Sequence, residues 1–248
     1  MTIRTPRRCS VPILAAFALA ACDDSPDITH YVLALSWQPA FCELNADRPE
    51  CRELDSGDFA ASHLTVHGLW PNDRPGGGPS HCDVDAATKA LDQPKSWCEL
   101  PKPKLKAETS AQLAPAMPGA ASCLDRHEWI KHGSCSGLDA NSYFTDMLRL
   151  AAAVQATPMA EIVAANIGRN ITPKQLSNAF EASFGAGSSR ALTLVCAEHN
   201  GRHFLSEIRI ALETTSVKGA LERDDLYLDG EPAAGTCPDT IRVDPAGQ

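Results

Sequence analysis

No apolar run in this 248-residue sequence reaches the roughly 20 residues that a bilayer-spanning helix needs. No segment recurs at a fixed period, which sets aside solenoids and propellers. A Gly-rich phosphate loop ahead of a helix is also missing. Positive charge is scarce: 22 Lys and Arg stand against 31 Asp and Glu, a formal net charge of -9. A surface of that sign does not hold polyanions by bulk attraction, so a nucleic-acid substrate would have to be gripped locally. The length suits one large domain or two small ones, either with room for a real core.

The N-terminus reads as a secretory signal. Arg4, Arg7 and Arg8 precede the short apolar stretch "VPILAAFALAA" (11–21) and then Cys22. Two processing routes fit. Ala18-Leu19-Ala20 suits ordinary signal peptidase, and Leu19-Ala20-Ala21-Cys22 resembles a bacterial lipobox, with Cys22 carrying the lipid. Of the 10 cysteines, Cys9 leaves with the signal. Lipidation would consume Cys22 and leave an even set, Cys42, Cys51, Cys82, Cys98, Cys123, Cys135, Cys196 and Cys237, for disulfides in an oxidising compartment. Loss of the three arginines takes the mature charge to about -12.

Residues 23–248 read as one α+β domain. "THYVLALSW" (29–37) is β-prone, and "HLTVHGLW" (63–70) reads as a strand running into a turn at Gly68, with His63, Thr65 and His67 on one face. Residues 72–83 form a Gly/Pro loop, and 99–121 an irregular segment. "LDRHEWIKHGSC" predicts a helix ending at Gly133; further helices follow at 142–156, 157–168 and 172–185, with Thr172 and Gln175 in capping-box spacing. Residues 190–212 form two β-prone runs around Asn200-Gly201, a hairpin signal.

Chemistry concentrates in "HGLWPN" (67–72) and "HEWIKHG" (127–133). A zinc helix needs two histidines four apart; His127 and His132 are five apart, about 140° around a helix, so they should diverge. The spacing instead pairs Glu128 with His132, and His127 with Lys131, at i,i+4. Acid–base chemistry fits better. Two imidazoles can share the roles of base and acid near neutral pH, a lysine offsets charge developing on a phosphate, and a carboxylate orients or charges an imidazole. His67, His132, Lys131 and Glu128 supply that set.

Together the two segments resemble the active-site motifs of the ribonuclease T2 family, secreted acid endoribonucleases of low base specificity. Both motifs are complete, in the family's order and about 60 residues apart, and looser likeness runs from Tyr31 to Cys237. The resemblance implies an α+β fold with a central antiparallel sheet, helices packed on one side and disulfide bracing. It implies that His67 and His132 are the acid/base pair, in that order, although the reverse step exchanges the roles. It implies that Glu128 and Lys131 stabilise the transition state, that His127 binds phosphate and that Trp70 stacks on the base 5′ of the cut. Asn72 occupies a position often acidic in fungal members, which leaves base preference open. The implied product is a 2′,3′-cyclic phosphate. Cys82–Cys135 and Cys196–Cys237 match pairs the family shares; Cys42, Cys51, Cys98 and Cys123 remain, with their connectivity open.

The expectation is therefore a monomeric, periplasmic or secreted endoribonuclease for single-stranded RNA, with no cofactor, no metal and no action on DNA. A catalytically silent RNA-binding protein and a metal-dependent phosphodiesterase are the rivals. His30, His81, His199, His203 and largely His63 read as structural or surface residues, and Trp129 and Ile130 as core.

Overall fold

The computed structural model describes residues 27–74, 77–214, 221–230 and 234–247. The signal-peptide reading, with Cys9 and the lipobox at Cys22, lies outside the described residues.

The strands are β1 (His30–Ser36), β2 (Thr65–Asn72), β3 (Asn170–Ile171), β4 (Leu192–His199), β5 (Arg202–Glu213) and β6 (Ile241–Arg242). They form one sheet in the order β2-β1-β5-β6-β3, with β4 paired to β5. All pairings are antiparallel except β5 with β6, which meet in parallel at Phe204 and Arg242. The β4–β5 hairpin turns at Asn200 and Gly201, whose φ values of 51° and 72° suit the tight primed turn that Asn-Gly favours.

One irregularity decides which side chains β2 presents together. Ala34 pairs with Gly68, but Leu35 pairs with Val66, so His67 is left over as a β-bulge. Strand side chains alternate between faces, and the extra residue resets that alternation. His67 and Trp70, of opposite parity, thereby reach the same site. β2 does not turn at Gly68 as expected; it continues to Asn72. His63 lies outside the strand, exposed and stacked on Phe59 at 4.2 Å, so the anticipated three-residue face shrinks to Thr65 and His67.

The helices are α1 (Gln38–Leu44), α2 (Pro49–Arg52), α3 (Ala86–Leu91), α4 (Ala107–Ala116), α5 (Leu124–Lys131), α6 (Ala140–Gln155), α7 (Pro158–Ala165) and α8 (Pro173–Phe184). Side-chain oxygens of Asp139, Thr157 and Thr172 accept from backbone amides at the starts of α6, α7 and α8, and Thr172 with Gln175 completes a capping box. Leu33, Leu35, Val66, Leu69, Ile208, Ile210 and Leu212 from the sheet share one buried cluster with Tyr143, Phe144, Met147 and Leu150 of α6 and Phe180 of α8. Helix α4 corrects the irregular reading of 99–121. Its sequence is Ala-rich, Leu113 is buried, and Pro115 sits one residue from the end, where little of the helix is left to break.

Disulfides join Cys42–Cys51, Cys82–Cys135, Cys98–Cys123 and Cys196–Cys237. The second closes a loop of 53 residues that contains Asp92 and α5.

Candidate active site

The site forms where the bulge in β2 faces α5 and β5. His67 Nδ1 lies 2.6 Å from Glu207 Oε2, and the carboxylate also receives Nε of Arg209. His67 Nε2 is 3.8 Å from Glu128 Oε1. Glu128 itself is 1% exposed, and its Oε2 accepts the indole N–H of Trp70 at 2.9 Å. Trp70 touches both catalytic candidates. Its ring centroid lies 5.2 Å from that of His67 and 5.5 Å from that of His132, and the Arg209 guanidinium caps it at 5.2 Å. Two imidazoles far apart in sequence thus pack against one indole.

Gly68 makes this contact possible. A Cβ there would fall 2.0 Å from Glu128 Oε2 and 2.4 Å from Trp70 Nε1. Only a residue without a side chain lets the carboxylate and the indole meet across the strand.

His127 points its Nδ1 at Asp92 Oδ1, 2.5 Å away, stacks on Trp97 at 4.4 Å, and turns Nε2 to within 3.8 Å of Glu128 Oε1. Asp92, 2% exposed, also takes Nε2 of His81 at 2.7 Å, so one buried carboxylate holds two imidazoles. His81 is therefore a structural bracket; its backbone N–H donates to the Lys131 carbonyl at 2.9 Å. His132 corrects the expected divergence from His127. Helix α5 ends at Lys131, and His132 is its C-cap, with φ -112° and ψ -51°. Ligand atoms of His127, Glu128 and His132 consequently lie within 4.8 Å of one another, close enough to hold a metal ion.

Asn72 is buried, with Nδ2 at 3.4 Å from His30 Nε2, and His30 stacks on Tyr227 at 4.4 Å. Ile130 is buried and Trp129 packs partly buried against the core. Two cavities flank the Trp70–His67 contact. One, of about 350 Å³, is lined by Trp70, Asn72, Lys131, His132, Arg209 and Tyr227, among others. The other, of about 310 Å³, is lined by His67, Arg48, Trp97, Ser206, Glu207 and Arg209.

The electrostatics separate the two histidines. Burial and the neighbouring cationic groups Lys131, His127, His67 and His81 push His132 down to about 2. Burial alone would lower His67 too, but the hydrogen bond to Glu207 and the negative charges of Glu128 and Glu207 raise it above its usual value. Burial lifts Glu128 to about 7, against the pull of His67, Trp70 and Lys131. Glu207 moves the other way: its partners His67 and Arg209 outweigh burial and lower it.

Asp92, Glu207 and Arg209 escaped the sequence reading. Glu207 and Arg209 alternate with Ile208 and Ile210 in β5, which marks them as one face of a strand, but nothing in that pattern says what the face meets.

Two imidazoles of opposed acidity beside a buried carboxylate, with Lys131 and Arg209 lining the cleft, are the parts of an acid–base enzyme. Residues 28–222 match the Ribonuclease T2 family. Ribonuclease I of Escherichia coli (strain K12) is 32% identical across 96% of this chain and 94% of its own length. A ribonuclease of Aeromonas hydrophila is 32% identical over 51% of this chain and 46% of its own length. In fold, the chain is similar to ribonuclease MC1 from bitter gourd seeds, with a TM-score of 0.54 at 16% identity over 86% of this chain and 99% of that one. Japanese pear S3-RNase gives 0.57 at 20% identity, covering 86% and 98%. The chain belongs to the ribonuclease T2 family.

Proposed function

We propose that this chain is an endoribonuclease that cleaves single-stranded RNA through attack of the ribose 2′-oxygen on the adjacent phosphorus. The observation that carries this reading is that His132 and His67 both pack against Trp70 and each lines a different cavity. In this reading the nucleoside 5′ of the cut occupies the His132 cavity, beside Trp70 and Asn72. His132, neutral down to low pH, takes the 2′-OH proton. The nucleoside 3′ of the cut occupies the cavity beyond His67, and charged His67 delivers a proton to its departing 5′-oxygen. The 2′-oxygen bonds to phosphorus as the 5′-oxygen leaves, giving a 2′,3′-cyclic phosphate and a 5′-hydroxyl. That assignment is the one the family resemblance implies, and the burial and charge around the two rings support it.

Glu128 and Lys131 act on the phosphate between them. A buried carboxylate facing a phosphorane would repel it; a Glu128 that holds its proton up to about 7 can donate to a non-bridging oxygen instead. Lys131, lining the first cavity, offsets the remaining negative charge. His127, held by Asp92, presents Nε2 toward the same place. Lys131 thus supplies at the site the positive charge that the acidic chain as a whole lacks.

The His127, Glu128 and His132 cluster raises the metal-dependent alternative. An ion held there would occupy the lone pair His132 needs and the carboxylate Trp70 already engages. Cleavage of single-stranded RNA is therefore expected to continue unchanged in excess EDTA, while single-stranded DNA stays intact. Loss of activity on chelation, restored by a divalent ion, would move the assignment to the metal-dependent class.

A periplasmic or secreted location fits the disulfides, and no helix among the described residues is long and apolar enough to cross a membrane. Lipidation at Cys22 remains part of the proposal, as do the monomeric state and the extent of the ribonuclease domain, 23–248.

A further inference from the structure

Resting on the ribonuclease reading, we infer that Glu207 is the positioning residue for His67: its carboxylate takes the Nδ1 hydrogen and aims Nε2 into the cleft, while Arg209 limits how tightly that proton is held. The geometry is specific. Glu207 Oε2 is 2.6 Å from His67 Nδ1, and Oε1 is taken by Arg209 Nε. The glutamate side chain is 9% exposed, against 34% for the histidine, so the anion sits beneath the ring and water covers little of it. Both partners are fixed by backbone pairing. Glu207 pairs with Ser36 and Arg209 with Ala34, the β1 residue beside the bulge that carries His67. One strand thus sets the spacing between a proton donor and its orienting carboxylate.

The other charged groups near His67 do not replace this role. From α5, Glu128 approaches Nε2, the nitrogen that must face substrate, and at 3.8 Å it is beyond a hydrogen bond. His127 and His132 lie within electrostatic range, and the charge on His67 lowers both of them. Glu128 also gains a proton near pH 7, whereas Glu207 stays ionised below that, so under acid conditions Glu207 is the remaining anion beside His67. A carboxylate behind one imidazole nitrogen fixes the tautomer and orientation of the other.

The test is the pH profile of kcat/KM with a dinucleoside phosphate of RNA, for the unsubstituted protein, Glu207→Gln, Glu207→Ala and Arg209→Gln. As proton donor, His67 must be charged, and Glu128 must hold its proton, so both enter the alkaline limb: activity falls as pH rises through them, and the His67 NMR titration shows which part of a shift belongs to His67. Removing the anion is expected to move that limb down by about 1 unit or more in Glu207→Gln. Removing the competing cation in Arg209→Gln is expected to move it up. Glu207→Ala should lose about 10²-fold in kcat, with Gln restoring part of it through orientation alone. Histidine NMR titration of His67 without substrate should show the same opposed shifts. An unmoved limb in Glu207→Gln, or shifts of the same sign in both charge variants, overturns the inference. If Glu207→Gln does not fold, Glu207→Asp decides it: the carboxylate withdrawn by one methylene should lower both kcat and the His67 titration, and parent-like values for both overturn the role. An unsubstituted protein that fails to cleave RNA sinks the ribonuclease reading, and the NMR titration still tests Glu207.

Discussion

His132→Phe and His67→Phe are each expected to lower RNA cleavage on the order of 10²–10⁴-fold, the range a positioned proton-transfer group contributes. Phenylalanine keeps a flat ring against Trp70, so the packing that places Glu128 should persist in both. The two variants should differ in stability. His132 is neutral in the folded protein across the working range, so an apolar ring there removes no charge. His67 is the partner of a buried carboxylate, and its loss leaves Glu207 with Arg209 alone. A buried group that loses one partner costs about 1–3 kcal/mol. Thermal melts should therefore show His67→Phe lowered and His132→Phe near the parent, with both nearly inactive. Parent-like turnover in either purified variant would remove the imidazole pair from the mechanism.

Gly68→Ala is expected to produce the second large loss from the smallest possible change. The added methyl would meet Glu128 Oε2 at 2.0 Å and Trp70 Nε1 at 2.4 Å, so the carboxylate and indole must separate. Overpacking of this kind costs about 1–3 kcal/mol, which a disulfide-braced fold should survive. The activity cost is larger in proportion, because a displacement of about 1 Å in a catalytic group costs about 10²-fold. The variant should fold, keep its four disulfides and lose about 10²-fold in kcat. Unchanged kcat would mean that the Glu128–Trp70 contact has no part in the chemistry.

The candidate set was legible because the chain writes it in two short segments, His67 and Trp70 in one, His127, Glu128, Lys131 and His132 in the other, and the structure brings the two together. What joins the segments was not. Helical projection placed His127 and His132 on diverging faces, and the projection failed at one residue, where α5 ends and His132 leaves the helical path. Strict alternation would likewise have put His67 and Trp70 on opposite faces; a one-residue bulge overrules it. Bulges and caps depend on pairing partners distant in sequence, which a local pattern does not contain. Asp92, Glu207 and Arg209 belong to the same category. Each acts through a contact spanning more than thirty residues, besides the shorter Glu207–Arg209 and Asp92–His81 pairs. Trp70, assigned to base stacking, turns out to hold Glu128 by its N–H while offering its ring to the cavity, so one side chain serves the carboxylate and the cleft together. The hairpin at Asn200-Gly201 and the capping box at Thr172 were readable in full because both are set by residues adjacent in the chain.

The most direct measurement takes the mature protein, excess chelator and one dinucleoside phosphate of RNA, beside its analogue lacking the 2′-hydroxyl at the cut, with products weighed by mass spectrometry over time. Attack by the 2′-oxygen predicts a 2′,3′-cyclic phosphate on the first nucleoside and a free 5′-hydroxyl on the second, with the deoxy analogue intact. Cleavage of the deoxy analogue, or a linear phosphate appearing with no cyclic precursor, would contradict it.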